Sequence, residues 1–243
     1  MKSNFSKLIA GLIVICALIL ALGGLGAIPS GSGSHSGGLL FPNISGTPRH
    51  PKFQQAPDGY FDDALFIGDS RTVGIENCEE LDGATFFAIT GMSIKGTLSE
   101  KTNIPGCGNI GLKTLLRNYS FGKVYITLGV NDIASKFSDY ESGYREIFDL
   151  VRSTQPDALI YIQANLHVKA GISRISNAAI DRMNKGFSEY ADNETVFYID
   201  PNIIFDDEDG NLAAEFTGDG IHLTGTSYAD WAKWIADNVI IPR

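Results

Sequence analysis

A serine stands where a buried strand is predicted to end, in the run Phe66-Ile67-Gly68-Asp69-Ser70-Arg71. The sequence predicts a strand over Ala64 to Ile67 and a helix from Thr72 onward, so the Ser70 hydroxyl is presented at the carboxyl edge of a sheet. Functional groups of parallel α/β sheets gather at that edge. A serine after a strand also commonly caps the next helix, so the tripeptide alone leaves both roles open.

An aspartate and a histidine lie close together near the other end of the chain, as Asp219 and His222 in a loop before the last predicted helix. On a turn, the Asp219 carboxylate can accept the ring N–H of His222, which fixes the tautomer and leaves the other ring nitrogen to take a serine proton. Two of the four histidines lie in the predicted spacer 28–57. A base for Ser70 must therefore be His222 or His167.

Two more residues follow predicted strands and can donate hydrogen bonds. Asn131 ends the run Leu128-Gly129-Val130-Asn131 and offers an uncharged amide, which can stabilise an oxyanion or cap a loop. Gly91 follows the strand Thr85 to Ala88 and, having no side chain, can bring its backbone N–H close to a bound oxygen. Either residue taken alone is more typical of an ordinary loop or turn than of an oxyanion hole.

Together these segments resemble, in order and spacing, the four signature blocks of the SGNH, or GDSL, hydrolase family, over about residues 61–239. The resemblance implies a three-layer α/β/α sandwich built on a flavodoxin-like parallel sheet. It implies a catalytic triad of Ser70, Asp219 and His222. It also implies an oxyanion hole formed by the N–H groups of Ser70 and Gly91 and the amide of Asn131. Such a mechanism requires no metal and no organic cofactor.

Two candidate substrate-binding residues remain open in role. Arg71 departs from the commonest family pattern, in which an aliphatic residue follows the serine. It can contact a substrate carboxylate or pair with Glu76 or another acid, and the structural role is favoured slightly. His167 follows the Leu159 strand, where it can touch substrate at the pocket rim or, as the favoured alternative, lie exposed in a loop.

The elements that must position these residues alternate between strands and helices, which indicates a parallel sheet covered on both faces. The predicted strands are Ala64 to Ile67, Thr85 to Ala88, Val124 to Leu128, Leu159 to Ala164 and Val196 to Ile199. The predicted helices are Thr72 to Glu80, Ile110 to Asn118, Asp139 to Thr154, Ile175 to Asp192 and Ser227 to Val239. Ser138 and Glu141 are predicted to form a capping box at the start of the third helix.

The amino-terminal part differs in composition from the rest of the chain. Residues 1–27 carry Lys2 and Lys7 and then a charge-free apolar run, which predicts a signal peptide or an uncleaved membrane anchor, the anchor being favoured. Residues 28–57 are rich in Gly, Ser and Pro and are predicted to be a flexible spacer. A catalytic domain is predicted over residues 58–243, outside the cytoplasm.

Charge and cysteine content limit the partners. A net charge of -9, without any cluster of Lys and Arg, argues against nucleic acid. Cys78 and Cys107 lie in the part predicted to be exported, where they can pair or remain as thiols. The membrane is an expected partner only through the amino-terminal segment.

The sequence thus predicts an exported serine esterase acting on small acyl esters, acetyl esters above all, carried by cell-envelope or other glycans. An O-acyltransferase and a lipid esterase would use the same acyl-Ser70 intermediate. The alternative of another class is a non-catalytic surface carbohydrate-binding protein, for which the intact set of polar residues would be unnecessary.

Overall fold

The structure is a computed structural model that describes residues 51–242. The predicted segment 1–27 and most of the predicted spacer 28–57 lie outside the described residues. Within the described part of the chain, no helix is both long enough and apolar enough to cross a membrane.

A parallel sheet of five strands forms the centre of the domain, in the order β2-β1-β5-β6-β7. Its strands are β1 (Ala64–Gly68), β2 (Thr85–Ala88), β5 (Lys123–Thr127), β6 (Leu159–Gln163) and β7 (Val196–Ile199). A separate antiparallel hairpin consists of β3 (Lys101–Ile104) and β4 (Gly108–Gly111). With the hairpin set aside, the strand order is that of flavodoxin-like folds, in which the first strand has neighbours on both sides.

Helices cover both faces of the sheet, which confirms the predicted three-layer α/β/α fold. They are α1 (Ser70–Glu76), α2 (Ile94–Thr97), α3 (Leu112–Asn118), α4 (Phe137–Thr154), α5 (Asn177–Ser188), α6 (Asn202–Phe205) and α7 (Gly225–Asp237), with 3₁₀ turns at Val130–Asp132 and Ala214–Phe216. One layer contains α2 to α5, and the other contains α1, α6 and α7.

The two faces of the sheet differ in chemistry because successive residues of a strand point to opposite sides. Leu65 and Ile67 of β1 pack with the layer of α2 to α5, where most core side chains are aliphatic. Phe66, between them, packs on the other face and stacks on Tyr125 at 4.3 Å, and Tyr125 stacks on Tyr161 at the same distance. This aromatic row buries large, flat surfaces beneath α1 and α7.

Several local predictions differ from the structure. The helix predicted over 175–192 spans Asn177–Ser188, and the one predicted over 227–239 spans Gly225–Asp237. Helix α1 begins at Ser70 rather than Thr72, and the start of the helix predicted from Ile110 lies in β4. The capping box at Ser138 is wrong: α4 starts at Phe137 with Lys136 as its N-cap and no side-chain cap bond. The Lys136 side chain carries no hydrogen-bond acceptor, which explains why it makes no cap bond.

The two ends of the described chain pair with each other. The backbone of Gln54, within the predicted spacer, exchanges two hydrogen bonds with Val239, just after α7, each of 2.9 Å. The Tyr60 hydroxyl donates to the carbonyl of Ile240 at 2.9 Å. Cys78 and Cys107 are unpaired thiols, which is one of the two possibilities that the sequence left open.

Candidate active site

The turn from β1 into α1 presents Ser70, and its two preceding residues explain why. A Cβ on Gly68 would come within 1.8 Å of the Thr72 hydroxyl and 2.9 Å of the Thr127 carbonyl, so only glycine lets the strand end pack this closely. Asp69, fully buried, is the N-cap of α1 and accepts a 2.9 Å bond from the N–H of Arg71. Because Asp69 caps the helix, the Ser70 hydroxyl is not needed for that task.

The Ser70 hydroxyl contacts His222 instead, across 152 positions of sequence. Its Oγ lies 2.9 Å from His222 Nε2, and His222 Nδ1 lies 2.7 Å from Asp219 Oδ2. The other oxygen, Asp219 Oδ1, accepts the backbone N–H groups of Ile221 and His222 at 2.8 and 2.7 Å. The aspartate therefore orients the loop and the ring together.

The same contacts keep the Asp219 carboxylate ionised. The small burial of this side chain acts to raise its pKa, but the hydrogen bonds from the His222 ring and from the backbone N–H groups lower the pKa well below the usual range. A negative carboxylate on Nδ1 holds that nitrogen as the N–H donor. Nε2 is then the acceptor that faces the Ser70 hydroxyl.

The Arg71 side chain stabilises the loop that carries His222. Its side chain is buried, and its guanidinium donates to the carbonyls of Leu166 at 2.8 Å and Ile221 at 3.1 Å. It does not pair with Glu76. Burial lowers the pKa of Arg71, and the charge of nearby Asp69 opposes that effect. The guanidinium thus has a structural role. Of the nearby acids, Asp69 has the largest electrostatic effect on it.

Asn131 lies in the 3₁₀ turn after β5, at the same edge of the sheet as Ser70. Its Nδ2 donates to the carbonyl of Met92 at 3.0 Å and lies 3.4 Å from Asp69 Oδ2. The turn is fixed by Asp132, whose carboxylate accepts the N–H of Ile94 at 2.9 Å. The amide nitrogen is thereby held beside the end of β1 in an orientation set by two neighbouring segments.

Gly91 lies in the turn after β2 and precedes Met92, the residue whose carbonyl accepts from Asn131. Its φ of +78° is the left-handed conformation that favours glycine, and a Cβ there would meet no atom within 4 Å. Gly91 does not line the cleft that contains Ser70. Its predicted N–H contribution to an oxyanion hole stays a prediction.

His167 is neither an exposed loop residue nor part of the cleft. Its side chain is 13% exposed, with Nδ1 2.7 Å from Asp206 Oδ2 and Nε2 2.9 Å from Asp181 Oδ1. Burial acts to lower the pKa of His167, but hydrogen bonds to both carboxylates raise it above the usual value. Both ring nitrogens are therefore occupied by acids, and the ring joins β6 to α5 and to the segment after α6.

A cleft of about 250 Å³ opens over the Ser70 hydroxyl. Besides Ser70, Arg71, Asn131 and His222, its wall contains four residues that the sequence did not single out: Val130, Arg174, Ile175 and Ile221. They come from three loops, and only the closeness of Val130 and Ile221 in sequence to predicted site residues could have suggested them. Across residues 51–242, no three His, Cys, Asp or Glu side chains form a group that would hold a metal ion.

The arrangement has the parts needed for nucleophilic chemistry. A hydroxyl in contact with an imidazole, itself oriented by a carboxylate, can lose its proton to that ring as it attacks an electrophilic carbon. Asn131 lines the same cleft as Ser70, but its amide nitrogen donates to the Met92 carbonyl and to Asp69, so its role as an oxyanion donor stays a prediction, as does that of the Ser70 N–H.

Comparisons with known proteins agree with this geometry. The model of the GDSL-like Lipase/Acylhydrolase family matches residues 66–229, which include Ser70, Asn131, Asp219 and His222. No curated protein matches the sequence.

Among solved structures, a GDSL-like lipase from Bacteroides thetaiotaomicron is 16% identical, with a TM-score of 0.53, 72% of this chain covered and 88% of that one. The lipase Lip_vut3 from a goat rumen metagenome is also 16% identical, with a TM-score of 0.52 and coverages of 72% and 96%. An active-site mutant of a family two carbohydrate esterase from Clostridium thermocellum, in complex with a cello-oligosaccharide, is 14% identical, with a TM-score of 0.50 and coverages of 76% and 63%. At these identities the likeness is one of fold.

Proposed function

We propose that this chain, which belongs to the GDSL-like lipase/acylhydrolase family and is an ester-hydrolysing serine hydrolase, removes short acyl groups, acetyl above all, from glycans. The observation that carries the proposal is the continuous contact from Ser70 Oγ through the His222 ring to Asp219. Ser70 is the nucleophile, His222 the base and Asp219 the group that orients the base.

In the proposed reaction, His222 Nε2 takes the Ser70 proton while Oγ attacks the ester carbonyl. The oxyanion that forms is stabilised by the N–H of Ser70 and the Asn131 amide, with Gly91 as the third donor predicted by resemblance. His222 then gives its proton to the leaving alcohol oxygen, and the acyl group stays on Ser70. Water, deprotonated by the same ring, releases the carboxylic acid and restores the serine.

The size of the cleft supports a short acyl group. At about 250 Å³ it is smaller than the roughly 300–1,000 Å³ of sites that enclose drug-sized ligands. A long alkyl chain would need more apolar wall than Val130, Ile175 and Ile221 supply. The fold is shared with lipases and with the Clostridium carbohydrate esterase alike, so the preference for a glycan rests on the cleft and on the predicted location rather than on the fold.

The test is ester hydrolysis by the purified residues 51–243, using p-nitrophenyl esters of increasing acyl length and an acetylated oligosaccharide. We expect kcat/KM to fall steeply beyond acyl chains of about four carbons, and we expect acetate release from the saccharide. Ser70→Ala is the control, and labelling by a fluorophosphonate should disappear in that variant. A preference for long-chain esters would contradict the glycan esterase and indicate a lipid esterase.

We further propose that the domain acts outside the cytoplasm, held at a membrane by residues 1–27. The support is the charge-free apolar run that follows Lys2 and Lys7, which is long enough to span a bilayer. In intact cells expressing the full chain, an externally added protease should degrade the domain. The mass of the membrane-bound protein should include residues 1–27 if the segment is an anchor, whereas a soluble product lacking it would indicate a cleaved signal.

A further inference from the structure

Arg174 is a cation in the wall of the cleft for which the proposed reaction has no use. Its side chain is exposed to solvent and lines the same cleft as Ser70 and His222. No carboxylate within residues 51–242 forms an ion pair with it. Arg71, the other guanidinium of the cleft, is buried and donates to two backbone carbonyls, so Arg174 is the exposed one of the two cations that line the cleft.

The backbone on either side of Arg174 is fixed. Ile172 and Ile175 flank it and pack against a small apolar cluster, so the guanidinium projects from an anchored segment. The cluster consists of Val168, Ile180 and Ile221. A Cβ on Gly220 would lie 2.7 Å from Ile172 Cδ1, and the N–H of Lys169 donates to the Gly220 carbonyl at 2.8 Å. The segment that carries Arg174 thus rests directly on the loop that carries His222.

The contact between the segment of Arg174 and the His222 loop indicates which part of a bound ester lies near Arg174. His222 must approach the leaving alcohol oxygen in order to protonate it, so the alcohol part lies on the side of the His222 loop. Asn131 belongs to a different loop, on the side of the carbonyl oxygen. Arg174, standing on the His222 loop, faces the alcohol part.

The charges around the cleft indicate which chemical group Arg174 would bind. The chain has a net charge of -9, and Asp219 lies beside the cleft, so an anionic substrate would be repelled unless a local cation compensated. A guanidinium fork matches the two oxygens of a carboxylate and binds them with paired, charge-assisted hydrogen bonds. A neutral sugar would give Arg174 no comparable partner.

We infer that Arg174 determines specificity by binding a carboxylate on the alcohol part of the ester, which makes the substrate class an acylated acidic saccharide, such as an acetylated uronic acid. This inference rests on the proposed function and narrows it. Arg174 takes no part in the bond changes at Ser70, and its effect is on binding.

The test compares two acetate esters of equal size, 3-acetoxybenzoate and 3-acetoxybenzamide, which differ in the charge of the leaving alcohol. With Arg174→Gln we expect kcat/KM for the benzoate to fall about tenfold, mainly through KM, as for loss of an exposed charged hydrogen bond. The benzamide should change less than about twofold. Arg174→Lys should restore part of the loss, because it restores the charge but not the fork.

Arg117→Gln is the matched control, since Arg117 is exposed on α3 and does not line the cleft. The same four proteins are then assayed on acetylated methyl glucuronoside and acetylated methyl glucoside, where the loss in Arg174→Gln should again be confined to the uronic acid. Mono-4-nitrophenyl succinate, whose charge is on the acyl part, should not depend on Arg174.

The outcomes separate the two proposals. One outcome is that the wild-type protein hydrolyses the benzamide and that Arg174→Gln affects benzoate and benzamide equally. This would overturn the role of Arg174 and leave the proposed acetyl esterase unaffected. A dependence on Arg174 confined to the succinate would overturn the assignment to the alcohol part. Failure of the wild-type protein to hydrolyse either acetate would overturn the proposed acetyl esterase, and this inference with it.

Discussion

Two histidines in loops of this domain have almost the same local geometry and opposite chemical consequences. His222 has Asp219 at 2.7 Å on Nδ1 and the Ser70 hydroxyl at 2.9 Å on Nε2. His167 has Asp206 at 2.7 Å on Nδ1 and Asp181 at 2.9 Å on Nε2. In their hydrogen bonds the rings differ in the second partner, which is a hydroxyl for His222 and a carboxylate for His167.

That second partner determines whether the ring can carry a proton back and forth. Two carboxylates on His167 occupy both ring nitrogens and act to raise its pKa against the opposing effect of burial, so this ring offers no free acceptor nitrogen to a hydroxyl. His222, with one carboxylate, keeps one nitrogen as an acceptor for the Ser70 proton. Location adds to the difference, because the side chain of His222 is 43% exposed in the cleft while that of His167 is 13% exposed.

The largest expected effect is a contrast between His222→Gln and His167→Gln. Removing the base should lower kcat for ester hydrolysis by about 10⁴- to 10⁶-fold, as in other serine hydrolases that lose their histidine. His167→Gln should leave kcat within about threefold, because that ring does not reach the cleft. Steady-state kinetics on p-nitrophenyl acetate measure both, and a comparable loss in the two variants would break the distinction.

Asp219→Asn tests the orienting carboxylate with almost no change in shape. The new amide can still accept the N–H groups of Ile221 and His222, but its NH₂ group faces His222 Nδ1 and favours the tautomer with the proton on Nε2. We expect kcat to fall by about 10⁴-fold. Asp181→Asn is the matched control on the other histidine, and there the same assay should show little change.

Asn131→Ala sharpens the comparison further, since Asn131 lines the cleft that contains Ser70 and His222. Loss of one oxyanion donor should lower kcat by about 10²- to 10³-fold with little change in KM. Asn103→Ala, on the exposed hairpin strand β3, should have no effect. A rise in KM with kcat unchanged, together with a matching loss of affinity for a non-hydrolysable ester analogue, would instead place Asn131 in ground-state binding.

The smallest expected effect concerns the stability supplied by His167. Its pKa is raised in the folded protein, so its stabilisation is complete below the unfolded value, near pH 6.5, and is lost as pH rises through the higher folded value. We expect His167→Gln to lower the free energy of unfolding by about 1–3 kcal/mol at pH 5.5 and by less at pH 9. Urea unfolding at both pH values measures this, and an equal loss at the two would show that the charge of the ring is irrelevant.

The central sheet could be predicted from sequence because its strands are apolar on both faces. All five predicted strands are present, and their limits shift by one residue at most. The hairpin of β3 and β4 was missed because half of its residues are exposed and only Ile104 and Ile110 are buried. A partly exposed hairpin lacks the apolar alternation that marks a half-buried strand.

The site divides along similar lines. Ser70 and His222 could be found because the order and spacing of their segments resemble a known family and few histidines compete. The pairing of His167 with Asp181 and Asp206 could not be predicted from the sequence. Those acids lie 14 and 39 residues away and contact the ring only in the folded chain. The same holds for Arg174, whose place in the cleft depends on the packing of Ile172 and Ile175.

The pairing of Gln54 with Val239 fixes where the domain can be held without blocking it. Helix α7 starts three residues after His222, runs for 13 residues and ends beside that pair, so the pair lies about 20 Å from the catalytic loop. A protein coupled to a solid support through residue 51 would be attached at a point removed from the cleft. An insoluble polysaccharide, too large to diffuse, could then still be brought to the immobilised enzyme as a suspension.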